Sequence, residues 1–112
     1  KINANHGRAW HVLGKWHYEV SDLSAVEKWL VKVTFGALPE ASLDAAIRNY
    51  EKSKQLNPSF LLNYLELARA YHRKDKDAEA VQMLEALLRL PDASSDDVTI
   101  RREAQKLLKE YK

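Results

Sequence analysis

Few residue types in this chain are suited to covalent or metal chemistry. Histidine stands at His6, His11, His17 and His72, and cysteine is absent. A zinc site on a helix needs imidazoles at i and i+4, as in His-Glu-x-x-His. Here His6 and His11 are five apart and His11 and His17 six apart, which turns neighbouring rings onto different faces. Without Cys there is no thiolate nucleophile, disulfide or Cys-based zinc site. No Gly-x-Ser-x-Gly elbow, phosphate-binding Gly-rich loop or paired-carboxylate context is present. Asp96-Asp97 reads as charge placed at a helix N-terminus. The sequence therefore predicts no metal, no cofactor and no enzymatic activity, and what remains to explain is binding.

Charge narrows the partner classes. The chain has 18 Lys+Arg against 16 Asp+Glu, a net charge of +2 over 112 residues. Nucleic-acid binders concentrate a strong positive excess on one face, so none is expected here. No apolar run approaches the roughly 18 residues of a membrane span. The chain starts at Lys1 without Met or a signal peptide, which reads as a piece of something longer. Its length suits one domain. With 46% hydrophobic residues, 3 Gly and 3 Pro, that domain should be mostly helix.

The elements follow from apolar spacing. Ala9, Trp10, Leu13, Trp16 and Tyr18 recur at steps of mainly three and four, predicting a helix over about 5–20. Gly14 interrupts it at a cost of about 1 kcal/mol relative to Ala, which implies close approach of a neighbouring helix. Ser24-x2-Glu27 has the form of a capping box, and Val26, Trp29, Leu30 and Val33 then form an amphipathic stripe. Few basic residues lie on its polar face, so packing on the rest of the domain is expected over a membrane surface. Ser42 is an N-cap for the next helix, with Asp44 in its first turn. Asn57-Pro58 reads as a cap followed by Pro at the first helical position. The helix after it is apolar around much of its circumference and should be central. A polar turn at 73–77, a stripe through Ala80, Leu84 and Leu87 closed by Pro91, and a last helix capped by Ser94 complete the chain. Trp10 should be core, and Tyr50, Tyr64 and Tyr71 core with their hydroxyls reaching polar partners.

Two of these segments repeat each other. Trp10-x2-Leu13-Gly14-x2-His17 matches the first half of the tetratricopeptide signature, and Tyr64-x2-Leu67-Ala68-x2-Tyr71 matches it again. Ala46-x3-Tyr50-x2-Ser53 with Pro58, and Ala80-x3-Leu84-x2-Leu87 with Pro91, match the second half. The small residues Gly14, Ala46, Ala68 and Ala80 fall where paired helices touch. In a repeat of about 34 residues, Ala46 should follow Trp10 by about 16 positions. It follows by 36, so about 20 residues are inserted. The expected fold is an all-α, tetratricopeptide-like α-solenoid of antiparallel helix pairs. Residues 1–112 form one domain: a first repeat over 1–58 with an inserted helix at about 24–36, a second over 59–91, and a capping helix over 94–112.

This combination resembles the regulator of microtubule dynamics family. The resemblance rests on Arg8-Ala9-Trp10-His11-Val12-Leu13-Gly14-Lys15-Trp16, the inserted Leu23-Ser24-x2-Glu27-Lys28 helix, Leu38-Pro39-x2-Ser42-Leu43-x-Ala45-Ala46-Ile47, Asn57-Pro58 and Leu90-Pro91. It implies a non-enzymatic repeat domain in a family linked to microtubules, to contacts between mitochondria and endoplasmic reticulum, and to phospholipids.

Repeat geometry supplies a binding face. The first helix of each pair lines the concave side, which places His11, Lys15, Tyr18 and Glu19 beside Leu65, Arg69, His72 and Arg73, with Arg8 pointing the same way. Such a groove, basic through Arg8, His11, Lys15, Arg69, His72 and Arg73, suits an acidic peptide, a terminal carboxylate or a lipid phosphate. The expected function is a scaffold that binds a protein segment there. Phospholipid binding and microtubule association are the alternatives. Two repeats are few for a self-sufficient array. The insert, the last helix, an upstream segment or a second copy of the chain must cover what they expose.

Overall fold

Scarce Gly and Pro among runs of Ala, Leu, Glu and Lys give helix throughout the computed structural model, which describes residues 7–21, 27, 29–30, 33–34, 42–91 and 95–112. Five continuous helices are described: α1 (Gly7–Ser21), α2 (Leu43–Leu56), α3 (Leu61–Arg73), α4 (Asp77–Leu88) and α5 (Asp96–Tyr111). No strand occurs among the described residues, and the protein is all-α. The expected inserted helix at 24–36 falls largely outside those residues. Glu27, Trp29, Leu30, Val33 and Thr34 are described, all helical and all exposed.

Local chemistry sets most helix ends. Ser42 Oγ accepts from Ala45 N at 3.0 Å, satisfying one of the orphan donors that open α2. Asn57 does not open α3 as the sequence suggested. Its N–H donates to Ser53 O at 2.8 Å, closing α2, and its carbonyl accepts from Phe60 N at 3.2 Å. Residues 57–60 thus form a turn with Pro58 at its second position, where the fixed φ of proline fits better than a helix start. Phe60 precedes α3 without a side-chain cap. Between α3 and α4 the chain reverses through Asp75 at φ 62°, a left-handed conformation that Asp tolerates better than most residues. Ser94 lies outside the described residues, and Ser95, next to α5, makes no side-chain cap bond. The C-terminus of α4 is closed from another helix. Arg101 on α5 donates to Leu88 O at 2.8 Å and to Leu90 O, pairing carbonyls that the helix itself leaves open.

Packing explains why α3 is central. Eight of its thirteen residues are buried, and it touches all four other helices. Leu61, Tyr64, Leu65 and Ala68 join Ala80, Leu84 and Leu87 of α4 and Ala104 and Leu107 of α5 in one apolar cluster. Leu67 and Ala70 join Ala46 and Tyr50 of α2 in another. Ala46, Ala68 and Ala80 are all 0% exposed, at the helix contacts where small residues were expected. Gly14 is buried too. A Cβ there would stand 2.8 Å from Tyr50 Cδ1 and 3.2 Å from Ala46 O, so its missing side chain is what lets α1 lie against α2. Tyr64 Oη donates to Pro58 O at 2.7 Å, and Tyr71 Oη to Glu51 at 2.6 Å, as tyrosines at the edge of a core should. Tyr50 departs from that expectation. Its ring is fully buried and its hydroxyl has no hydrogen-bond partner among the described residues, because Gly14 admits the ring deep between the helices. Trp10 is half-buried rather than fully core.

Candidate functional site

The expected site residues meet along one seam, where α1 lies beside α3. Four contacts follow one another along it. Arg8 sits over the Phe60 ring, 4.1 Å from its centroid. His11 meets Asn63. Lys15 meets Glu66. Arg73 sits over the Tyr18 ring at 4.1 Å and donates to Ser21 Oγ. The contacts advance in the same direction on both helices, so α1 and α3 run parallel.

The middle of the seam is an ion-pair network. Arg69 Nη1 donates to Glu66 Oε1 at 2.9 Å, and Nη2 to Glu103 Oε2 of α5 at 3.2 Å. Lys15 Nζ lies 3.8 Å from Glu66 Oε2 and 3.3 Å from Glu19 Oε1. Cations from two helices therefore converge on the Glu66 carboxylate, whose side chain is only 8% exposed. The face is less basic than its list of cations suggests, since Glu19, Glu66 and Glu103 stand among them.

Two expected wall residues lie deeper. His11 is 5% exposed, with its ring 4.9 Å edge-on from Phe60 and 5.4 Å from Tyr50. Asn63 Nδ2 donates to Tyr50 O at 2.9 Å, so Asn63 Oδ1 is an acceptor. The His11 proton then sits on Nδ1, 2.9 Å away. Leu65 is buried in the α3–α4–α5 cluster. At the far end His72 is exposed but engaged: its ring stacks on Tyr111 at 4.0 Å, and Nδ1 lies 2.7 Å from Asp77 Oδ1. His72 thus braces the end of α5 against α3.

Burial pushes the His11 imidazole below its ordinary value of 6.5, outweighing the opposing pull of Asn63 and Glu66. A histidine whose folded pKa is depressed binds protons more readily when unfolded. Its stabilising contribution is then complete above about pH 6.5 and is lost as pH falls through that value. Between about pH 7.5 and about pH 5.5 the urea midpoint should fall further for the wild type than for His11→Gln, which keeps an N–H donor but does not titrate. Equal shifts in the two proteins would refute a depressed His11.

Two hollows flank the seam. Arg8, Asn57, Ser59, Phe60, Asp96 and Asp97 are among the residues that line a cavity of about 300 Å³ at its Arg8 end. Ala9, Val12, Leu13 and Trp16 line a wider hollow of about 600 Å³ on the other side of α1, where Val12 is 66% exposed. Among the described residues no three His, Asp or Glu gather so as to hold a metal ion, and no helix is long and apolar enough to cross a membrane.

Sequence reasoning missed Phe60, Asn63, Glu66 and Glu103. The clue to Asn63 and Glu66 was present: two polar residues interrupt a segment otherwise apolar around its circumference, and polar groups there must be paired. Glu103 gave no such clue, because its role depends on how α5 returns to α3.

Comparison with known proteins bears on the same chain. The family described as regulator of microtubule dynamics protein 1-3 matches over residues 1–112. Regulator of microtubule dynamics protein 2 of Homo sapiens is 29% identical over 104 residues, 92% of this chain and 25% of that protein. Regulator of microtubule dynamics protein 3 of Bos taurus is 31% identical over 101 residues, 86% and 21% of the respective chains. Regulator of microtubule dynamics protein 1 of Caenorhabditis elegans is 26% identical over 98 residues, 88% and 43%. The chain spans between about a fifth and under a half of the length of these relatives. With the whole chain matched and the helical fold in agreement, the protein belongs to the regulator of microtubule dynamics family.

Proposed function

We propose that this domain is a non-enzymatic scaffold whose α1–α3 seam binds an acidic segment of a protein partner. One observation carries the reading: Lys15 and Arg69, on different helices, converge on a single carboxylate position. Held there by Glu66, the guanidinium and the ammonium each keep donors for a further carboxylate, to be gripped through charge-assisted hydrogen bonds. Arg8 and Arg73, each over an aromatic ring, extend the cationic face along the seam.

The test uses fluorescein-labelled hexaglutamate at low salt. Lys15→Glu/Arg69→Glu should weaken binding at least about tenfold, read under conditions where circular dichroism shows the variant folded. Lys15→Gln/Arg69→Gln, which introduces no repulsion, should weaken it less but measurably. A helical double variant that binds as tightly as the wild type would sink the reading. The attraction should fade as salt rises, because exposed charges are screened. The relatives' name concerns microtubule dynamics, which makes microtubules the first macromolecular partner to assay, by co-sedimentation at low and high salt.

The apolar hollow lined by Ala9, Val12, Leu13 and Trp16 favours a second reading, a phospholipid-binding module with an acyl chain against that face. Native mass spectrometry separates the two. Co-purified phospholipid supports the lipid reading, and a clean protein mass speaks against it.

A further inference from the structure

We infer that the seam takes up carboxylates by exchange: Glu66 anchors the two cations from beneath, while Glu19 and Glu103 occupy the outer positions that a partner's acidic side chains would take. This rests on the proposed acidic-segment reading and divides the seam's three glutamates into two roles.

Burial makes the division. The Glu66 side chain is 8% exposed, against 61% for Glu19 and 36% for Glu103. Glu66 uses one oxygen on Arg69 and turns the other toward Lys15. Removing it from that place would bury a carboxylate away from its cations, which is costly. Glu103 bonds Arg69 through Nη2 alone, at 3.2 Å, from a different helix. Glu19 pairs with Lys15 across one turn of α1, at 3.3 Å, with both side chains more than half exposed. An exposed pair of that kind contributes little to stability, and the Glu103 bond is a single one, so an incoming carboxylate displaces either at small cost and inherits a cation already oriented.

A partner must then outcompete internal anions, which selects segments with several acidic residues over those with one. Glu103 becomes a specificity-determining residue: it raises the charge a ligand needs before Arg69 accepts it. Its place on α5 also couples ligand uptake to the helix that His72 and Arg101 hold down.

The experiment compares three substitutions with the same change in net charge, each checked for helicity and melting temperature. Hexaglutamate affinity is measured by fluorescence anisotropy at low salt. Glu103→Gln should bind about two- to fivefold more tightly than the wild type, the factor expected from removing a half-buried pair that competes for Arg69. Glu110→Gln, on the exposed side of the same helix, controls for general charge and should change affinity less. Glu66→Gln should bind no more tightly than Glu110→Gln, since it adds the same charge but loosens the cations. If the wild type binds and Glu103→Gln gains no more than Glu110→Gln, exchange is overturned while the acidic-segment reading stands. If Glu66→Gln tightens as much as Glu103→Gln, the anchoring role is overturned. If neither the wild type nor Glu103→Gln binds hexaglutamate at low salt, the acidic-segment reading falls and takes the exchange with it.

Discussion

Asn63→Leu is expected to lower the unfolding free energy by about 2–4 kcal/mol, although leucine has the same branched skeleton. Asn63 is 0% exposed and joins three helices through one side chain. Its oxygen accepts from His11 of α1, and its amide donates to the Tyr50 carbonyl of α2. Leucine makes neither bond. The His11 N–H is then buried without a partner, at about 1–3 kcal/mol, and the Tyr50 carbonyl loses its side-chain donor. The loss is asymmetric. Replacing both members, as in His11→Phe/Asn63→Leu, removes the orphaned donor and should recover part of the stability. Urea denaturation of the four proteins in this cycle measures the coupling. If Asn63→Leu lies within about 0.5 kcal/mol of the wild type, the buried network does not hold the helices together.

Gly14→Val should cost more than about 3 kcal/mol, a large share of the total stability of about 5–15 kcal/mol that a domain has. Even a single Cβ would stand 2.8 and 3.0 Å from the Tyr50 ring and 3.2 Å from the Ala46 carbonyl. The ring is fully buried and the carbonyl is helix backbone, so neither yields without moving α2. Gly14→Ala isolates the effect. It gains about 1 kcal/mol in helix propensity and loses about 1–3 kcal/mol to overpacking, so it should be mildly destabilising. A rise in melting temperature on Gly14→Ala would show that the helices have room to spare.

Both predictions concern residues that differ in how readily the sequence disclosed them. Gly14 was legible because a glycine inside an amphipathic pattern has few explanations other than close approach. The helices, the Ser42 cap and the small contact residues were legible for the same reason: each is a local rule with period 3.6 or a fixed capping offset. Asn57-Pro58 misled because the same dipeptide serves a helix start and a turn, and only the bond from Phe60 N to Asn57 O decides. The cations of the seam were legible as types and positions. Their pairing was not, because Glu66 and Glu103 reach Arg69 from its own helix and from a helix 34 residues away in sequence. His11 was expected to line the groove but is sealed by Phe60, whose placement depends on that turn.

The central position of α3 has a consequence for how the domain comes apart. Its Leu61, Tyr64, Leu65 and Ala68 belong to the cluster with α4 and α5, while its Leu67 and Ala70 belong to the cluster with α2. Repeat arrays often fray from one end, because each unit contacts only its neighbours. Here the two clusters share one helix, so loss of either withdraws support from the other. Unfolding should be close to all-or-none, with opening confined to chain ends and turns, and the seam along α3 should persist until the whole domain gives way.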